Sequence, residues 1–172
     1  MKVENIRTLQ GDNGYHDAPV LSMTLDLEEL AGKETHEVTG FMNQLLTLLP
    51  GIKQHHCSMG RTGDLAEMTP TAIGFGHVTA RVALELATLA GVPVHDAGVL
   101  YPDDPRRCQI TIEFANEAVM RFLLHTAVEL VVALTRGETP PLQARLAEAR
   151  RLVGRAAPES STHAAVGVGR WV

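Results

Sequence analysis

The chain has 172 residues, 45% of them hydrophobic and 20% charged, which is the composition of one globular domain with an ordinary core. A formal charge of -5 and a pI near 5.9 argue against duplex nucleic acid as the main partner, and 4% aromatic residues supply few stacking platforms. Met1-Lys2-Val3-Glu4 is not an apolar signal core, and no apolar run is read as approaching membrane-spanning length. The expectation is a cytoplasmic protein with no membrane partner, in which Cys57 and Cys108 stay reduced.

In chain order, strands are predicted over residues 3–9 and 20–27, the second because Leu21, Met23, Leu25 and Leu27 alternate with polar residues. Turn formers in Gly11–Asp17 separate them, and the charged run Glu28–Glu37 is expected at the surface. A helix is predicted from Thr39, its candidate cap, to Leu49, with Phe41, Leu45, Leu48 and Leu49 on its apolar face and Pro50-Gly51 ending it. Residues 52–75 read as a loop carrying His55-His56-Cys57, and a loop of that length is more often functional than idle. The next helix covers about Gly76–Ala90, with Val78, Val82, Leu86 and Leu89 toward the core and Gly91 as its stop. Strands follow at 92–101 and 108–114, with Asp103-Asp104-Pro105 turning between them, then a helix over Asn116–Arg136.

The domain is thus placed at 3–136, with 137–141 as a stiff linker, 142–155 as a further amphipathic helix and 156–172 as a small polar tail expected to be disordered. The fold class is α+β: a small four-stranded, mainly antiparallel sheet on three helices, plus the C-terminal helix.

Chemistry concentrates between Gly51 and Gly91. Cys57 and His77 are the best candidate zinc ligands, with His55, His56 or His95 as a third. Helical spacing stacks His77, Arg81 and Glu85 on one face. Arg81 counts against a metal, since it sets a permanent cation beside the ion, and an Arg81–Glu85 salt bridge is expected instead. Cys57 with His77 or His56 forms a second candidate, a nucleophilic pair. Phosphate-binding glycine motifs are missing from the sequence. The row Glu117, Arg121, His125, Glu129, and the arginines of the last helix, read as solvated faces with ion pairs.

Several of these stretches, taken together, resemble a family. His55-His56-Cys57-Ser58-x-Gly60, Gly76-His77-Val78 and Val82-Ala83-Leu84-Glu85-Leu86-x-x-Leu89-Ala90-Gly91 are similar to the N-terminal domain of cyanophycin synthetase. So are Leu9-x-Gly11-x-Asn13, Leu25-Asp26-Leu27-x-x-Leu30, Gly40-Phe41 with Leu45-Leu46-x-Leu48-Leu49-Pro50, and Ile112-x-Phe114. The resemblance implies a domain that helps hold a polymer with an aspartate backbone and arginine side chains. The ATP-grasp and Mur-ligase-like domains that make that polymer are not matched in these residues. In some members the N-terminal domain also carries a metal-dependent hydrolytic centre with the cysteine of His-His-Cys-Ser and a His-x-x-Glu-His. Here Cys57 and His77 match it, whereas Ala80 stands at the glutamate and Arg81 at the second histidine.

The first reading is therefore a non-catalytic module without a cofactor, binding an Asp/Arg-rich polypeptide or a synthetase partner, with a homo-oligomer as a further expectation. Asp103, Asp104, Glu113 and Glu117 are its candidate acidic strip for arginine side chains, with Arg81 as a further ligand-binding residue. The alternative is a zinc-dependent peptidase in which Cys57, His77 and His55 or His56 hold the ion and Glu85 or Glu67 is the base.

Overall fold

Period-two alternation sets the sheet. The computed structural model describes residues 1–11, 19–55, 73–93 and 97–156. Strands β1 (Lys2–Leu9), β2 (Val20–Asp26), β3 (Ala97–Leu100) and β4 (Arg107–Glu113) lie in the order β1-β2-β4-β3, and each pairing is antiparallel. Leu21, Met23 and Leu25 sit opposite Ile112, Ile110 and Cys108, and all six are fully buried. Burying an aliphatic side chain of this size stabilises by about 1.5–3 kcal/mol, so this register outweighs a slip that would turn the same residues to the other face. On that other face the central strands are polar, with Gln109 donating to the Ser22 hydroxyl at 2.7 Å.

Four helices appear among the described residues: α1 (Phe41–Leu48), α2 (Phe75–Ala90), α3 (Glu117–Thr135) and α4 (Leu142–Ala156). α2 packs on β3 and β4, α3 packs on β1 and β2, and the two helices pack on each other. α4 closes over both through buried Leu142, Leu146 and Ala149, while α1 rests on α3. The α+β class and the antiparallel sheet match the sequence reading.

Several boundaries moved, each for a physical reason. The N-cap of α1 is Gly40, in the left-handed conformation (φ 77°), rather than Thr39. Pro50-Gly51 does end α1, but it opens a 3-10 turn over Pro50–Gln54 that brings Gly51 and His55 toward α2. Gly91 stops α2 (φ 79°), with Gly91 N–H donating to Thr88 and Val92 N–H to Ala87 at 2.9 Å. Val92 therefore belongs to the helix terminus, and strand β3 begins at Ala97. The charged run from Glu28 is not wholly at the surface, because Leu30 and Thr35 are buried within two 3-10 turns. Gly137 (φ 71°) ends α3 in the same manner as Gly91, with Glu138 N–H donating to Ala133 at 2.9 Å.

α3 is, by length and composition, apolar enough to cross a membrane, contrary to the reading that no run approaches that length. Its Val119, Met120, Leu123, Leu124, Leu130 and Val131 are spent on the core, which accounts for the apolarity. Nor are the arginine rows wholly solvated. Arg121 pairs with Glu117 at 2.7 Å and also donates to the Ile6 carbonyl at 3.0 Å, tying α3 to β1. Arg150 donates to the Leu89 carbonyl at 2.9 Å, satisfying an acceptor at the end of α2. Arg145 reaches Glu129 at 2.7 Å, joining α4 to α3.

Candidate functional site

The polar face of α2 carries the site. Val78, Val82 and Leu86 go to the core at helical spacing, which leaves His77, Arg81 and Glu85 stacked on another face. That face is not solvated: Arg81 is 5% exposed and Glu85 is 4% exposed, and His77 is half-buried.

Glu85 is satisfied by tertiary contacts. His55 Nε2 lies 2.7 Å from Glu85 Oε2, across a gap of thirty residues in sequence. The 3-10 turn over Pro50–Gln54 delivers both His55 and Gly51 to this carboxylate. A Cβ on Gly51 would stand 2.3 Å from Glu85 Oε1, so only glycine admits the carboxylate at this approach. The expected Arg81–Glu85 salt bridge is replaced by this His55–Glu85 pair.

Arg81 is the opposite case. Its Nε and Nη1 are buried and have no hydrogen-bond partner among the described residues. A guanidinium stays charged at any physiological pH, and burying it without an acceptor is costly. Its charge reaches His77: burial, and then the Arg81 cation, hold the His77 imidazole below its usual pKa, so it favours the neutral form.

The N-terminus of α2 completes the arrangement. An isolated antiparallel bridge between Glu34 and Gly74, with Thr35 N–H on the Ile73 carbonyl at 3.1 Å, fixes the entry to the helix. Gly74 caps α2 without a side-chain hydrogen bond. The Tyr101 ring lies against His77, with centroids 5.6 Å apart. A Cβ on Gly74 would be 2.5 Å from the Tyr101 hydroxyl, and one on Gly76 would be 2.8 Å from that hydroxyl and 2.9 Å from Cys108 Sγ. The glycines thus let Tyr101 lie on the helix start. Burial pushes the Cys108 thiol up to about 12, so it is a core thiol rather than a nucleophile.

Of the residues singled out from sequence, His55, His77, Arg81 and Glu85 belong to this region, whereas His56, Cys57, Glu67 and His95 lie outside the described residues. The acidic candidates form two groups. Asp103 and Asp104 sit in the β3–β4 turn, with Asp104 accepting from Arg106 N–H at 2.9 Å and lying 4.0 Å from Arg107. Glu113 ends β4 at the opposite end of the strand from that turn, and Glu117 is engaged by Arg121. Tyr101 was not singled out from the sequence. Its only sequence signal is the pair Gly74 and Gly76, which make room for a bulky neighbour at a helix start.

The described donors do not by themselves make up the proposed zinc set, two members of which, His56 and Cys57, lie outside the described residues. No group of three histidine, cysteine or acidic side chains suited to a metal ion occurs among the described residues. The position between His77 and Glu85 on the helix face is filled by the buried Arg81 cation, which repels a divalent ion.

A two-layer α+β domain with a four-stranded antiparallel sheet and a buried polar helix face is the class these features define. Residues 22–136 match the family model of the cyanophycin synthase-like N-terminal domain, and the chain belongs to this family. It is 32% identical over 145 residues to cyanophycin synthetase of Crocosphaera subtropica, covering 83% of this chain and 17% of that protein. The same enzyme of Trichormus variabilis is 34% identical over 143 residues, covering 81% of this chain and 16% of the relative. That of Geminocystis herdmanii is 31% identical over 132 residues, covering 76% and 15%. The chain therefore spans about a sixth of the length of these curated relatives.

Proposed function

We propose that this domain is a non-catalytic binding module, which holds an Asp/Arg-rich polypeptide of the kind a cyanophycin synthetase makes or docks on the synthetase itself. The observation that carries this reading is the buried Arg81 on the site face of α2, two of whose nitrogens lack an acceptor among the described residues, where a hydrolytic centre would need a metal ligand. Two neighbours support it. Ala80 is fully buried, and a glutamate there would have to displace close-packed neighbours. Glu85, the other acid on the face, is held by His55 and is not poised toward a metal-bound water. Acidic groups near both ends of β4 and the Arg81 cation on α2 supply both signs of charge, which an Asp/Arg-rich ligand also carries.

Calorimetric titration with the Asp-Arg polypeptide or its short repeats tests this. The reading predicts a saturable heat at low salt that weakens as ionic strength rises. No heat and no co-sedimentation at low salt would remove the polypeptide-holding version and leave synthetase docking, for which pull-down of the purified enzyme is the corresponding measurement.

A further inference from the structure

We infer that Arg81 is the anchor of a carboxylate-binding site on the N-terminal half of α2, whose ligand is a single monoanionic carboxylate. The proposal deepens the binding-module reading, on which it rests only for the origin of that carboxylate, an aspartate side chain or chain terminus.

Two observations and the geometry of the helix converge on this face. Arg81 is at least nine-tenths buried, and two of its nitrogens have no acceptor among the described residues. Proteins bury an arginine in this way when an anion is there to meet it, because the guanidinium cannot shed its charge. The one acid placed to neutralise it on the same face, Glu85, is instead held by His55 at 2.7 Å. The Cα–Cβ bond of Arg81, like every such bond in an α-helix, tilts toward the helix N-terminus. The Arg81 charge is felt at His77, one turn nearer that end.

The helix start adds donors of the same sense. The first N–H groups of α2 have no intrahelical partner and carry the positive end of the helix dipole. Gly74 supplies no side-chain cap to occupy them. The Tyr101 hydroxyl lies over Gly74 and Gly76 beside His77, which places a polar group at the helix start. Neither the helix start nor the tyrosine would make a site alone. The orphaned arginine, whose charge is felt at His77, does.

Charge decides which anion. Arg81 carries a single permanent charge, two of its nitrogens lack an acceptor among the described residues, and Glu85 is engaged by His55 instead. A carboxylate balances it. A phosphate dianion would overcompensate and would be repelled by the Glu85 carboxylate one turn away. The planar guanidinium also matches the planar carboxylate.

Acetate alone is the probe, and the Arg81 Nε–H resonance of the intact chain is the readout. Saturable movement of that resonance by acetate is expected, with chloride at equal ionic strength producing none and inorganic phosphate less. In Arg81→Gln, followed through the Tyr101 and α2 amide signals, acetate should bind about tenfold or more weakly, as expected for loss of a charged hydrogen-bonding partner. A wild-type resonance that does not move with acetate overturns the proposal, and so does an undiminished response in Arg81→Gln. If that variant fails to fold, the wild-type titration still decides. An acetate response without polypeptide heat upholds the carboxylate site and removes the polypeptide-holding version of the binding-module reading. Polypeptide heat without an acetate response does the reverse.

Discussion

Glu85 and Arg81 occupy the same face of α2, one turn apart, and the fold treats them in opposite ways. Glu85 is enclosed by a histidine at 2.7 Å and by a glycine whose missing side chain makes its space. Arg81 is buried to the same degree, yet two of its nitrogens have no acceptor. The first is a closed structural pair that joins the 3-10 turn after α1 to α2. The second is a charge whose partner is not supplied by the described part of the fold. Burial alone does not separate structural from functional polar residues; hydrogen-bond satisfaction does.

The contrast can be broken most forcefully at the closed end. His55→Ala leaves a buried carboxylate without its partner and should cost about 3 kcal/mol, the order seen when one member of a buried pair is removed. Denaturant unfolding measures it, and Glu85→Gln in the same background should recover part of the loss. A cost near zero would show that the pair is not closed. Next in size is Gly51→Ala. Its Cβ would meet Glu85 Oε1 at 2.3 Å, and the carboxylate cannot move aside without giving up His55. A loss of about 1–3 kcal/mol is expected from such overpacking, and it should shrink when His55 is already alanine.

The open end gives a smaller, pH-dependent effect. Burial first, and the Arg81 charge second, lower the pKa of His77. A depressed histidine stabilises the fold above its unfolded pKa, about 6.5, and that contribution is lost as pH falls through the lower folded value. In Arg81→Gln the second cause is gone, so the His77 ring should titrate at higher pH than in the wild type, as followed by NMR. An unchanged midpoint would mean that Arg81 does not direct its charge toward the helix start.

Much of the scaffold was legible because it follows from local periodicity. The alternation at Leu21, Met23 and Leu25, the stop at Gly91 and the stacking of His77, Arg81 and Glu85 each depend on residues near one another in sequence. The partners were not legible. His55 meets Glu85 because a 3-10 turn, rather than an open loop, follows α1. The nearer charge, Arg81, was the natural choice for Glu85, and helical spacing permits that pair without requiring it. Tyr101 reaches the start of α2 through the β3–β4 hairpin, a proximity carried by sheet topology alone. Thr39 lost the capping position to Gly40 because the chain enters α1 in a left-handed conformation that glycine adopts without strain.

The measurement closest to the central claim compares the unfolding stability of Arg81→Met with that of the wild type in acetate-free buffer. Methionine keeps much of the apolar stem and removes the unpartnered charge, so the account predicts a variant at least as stable as the wild type that no longer responds to acetate. A loss comparable with that of His55→Ala would contradict it, because Arg81 would then be as fully paired within the fold as Glu85.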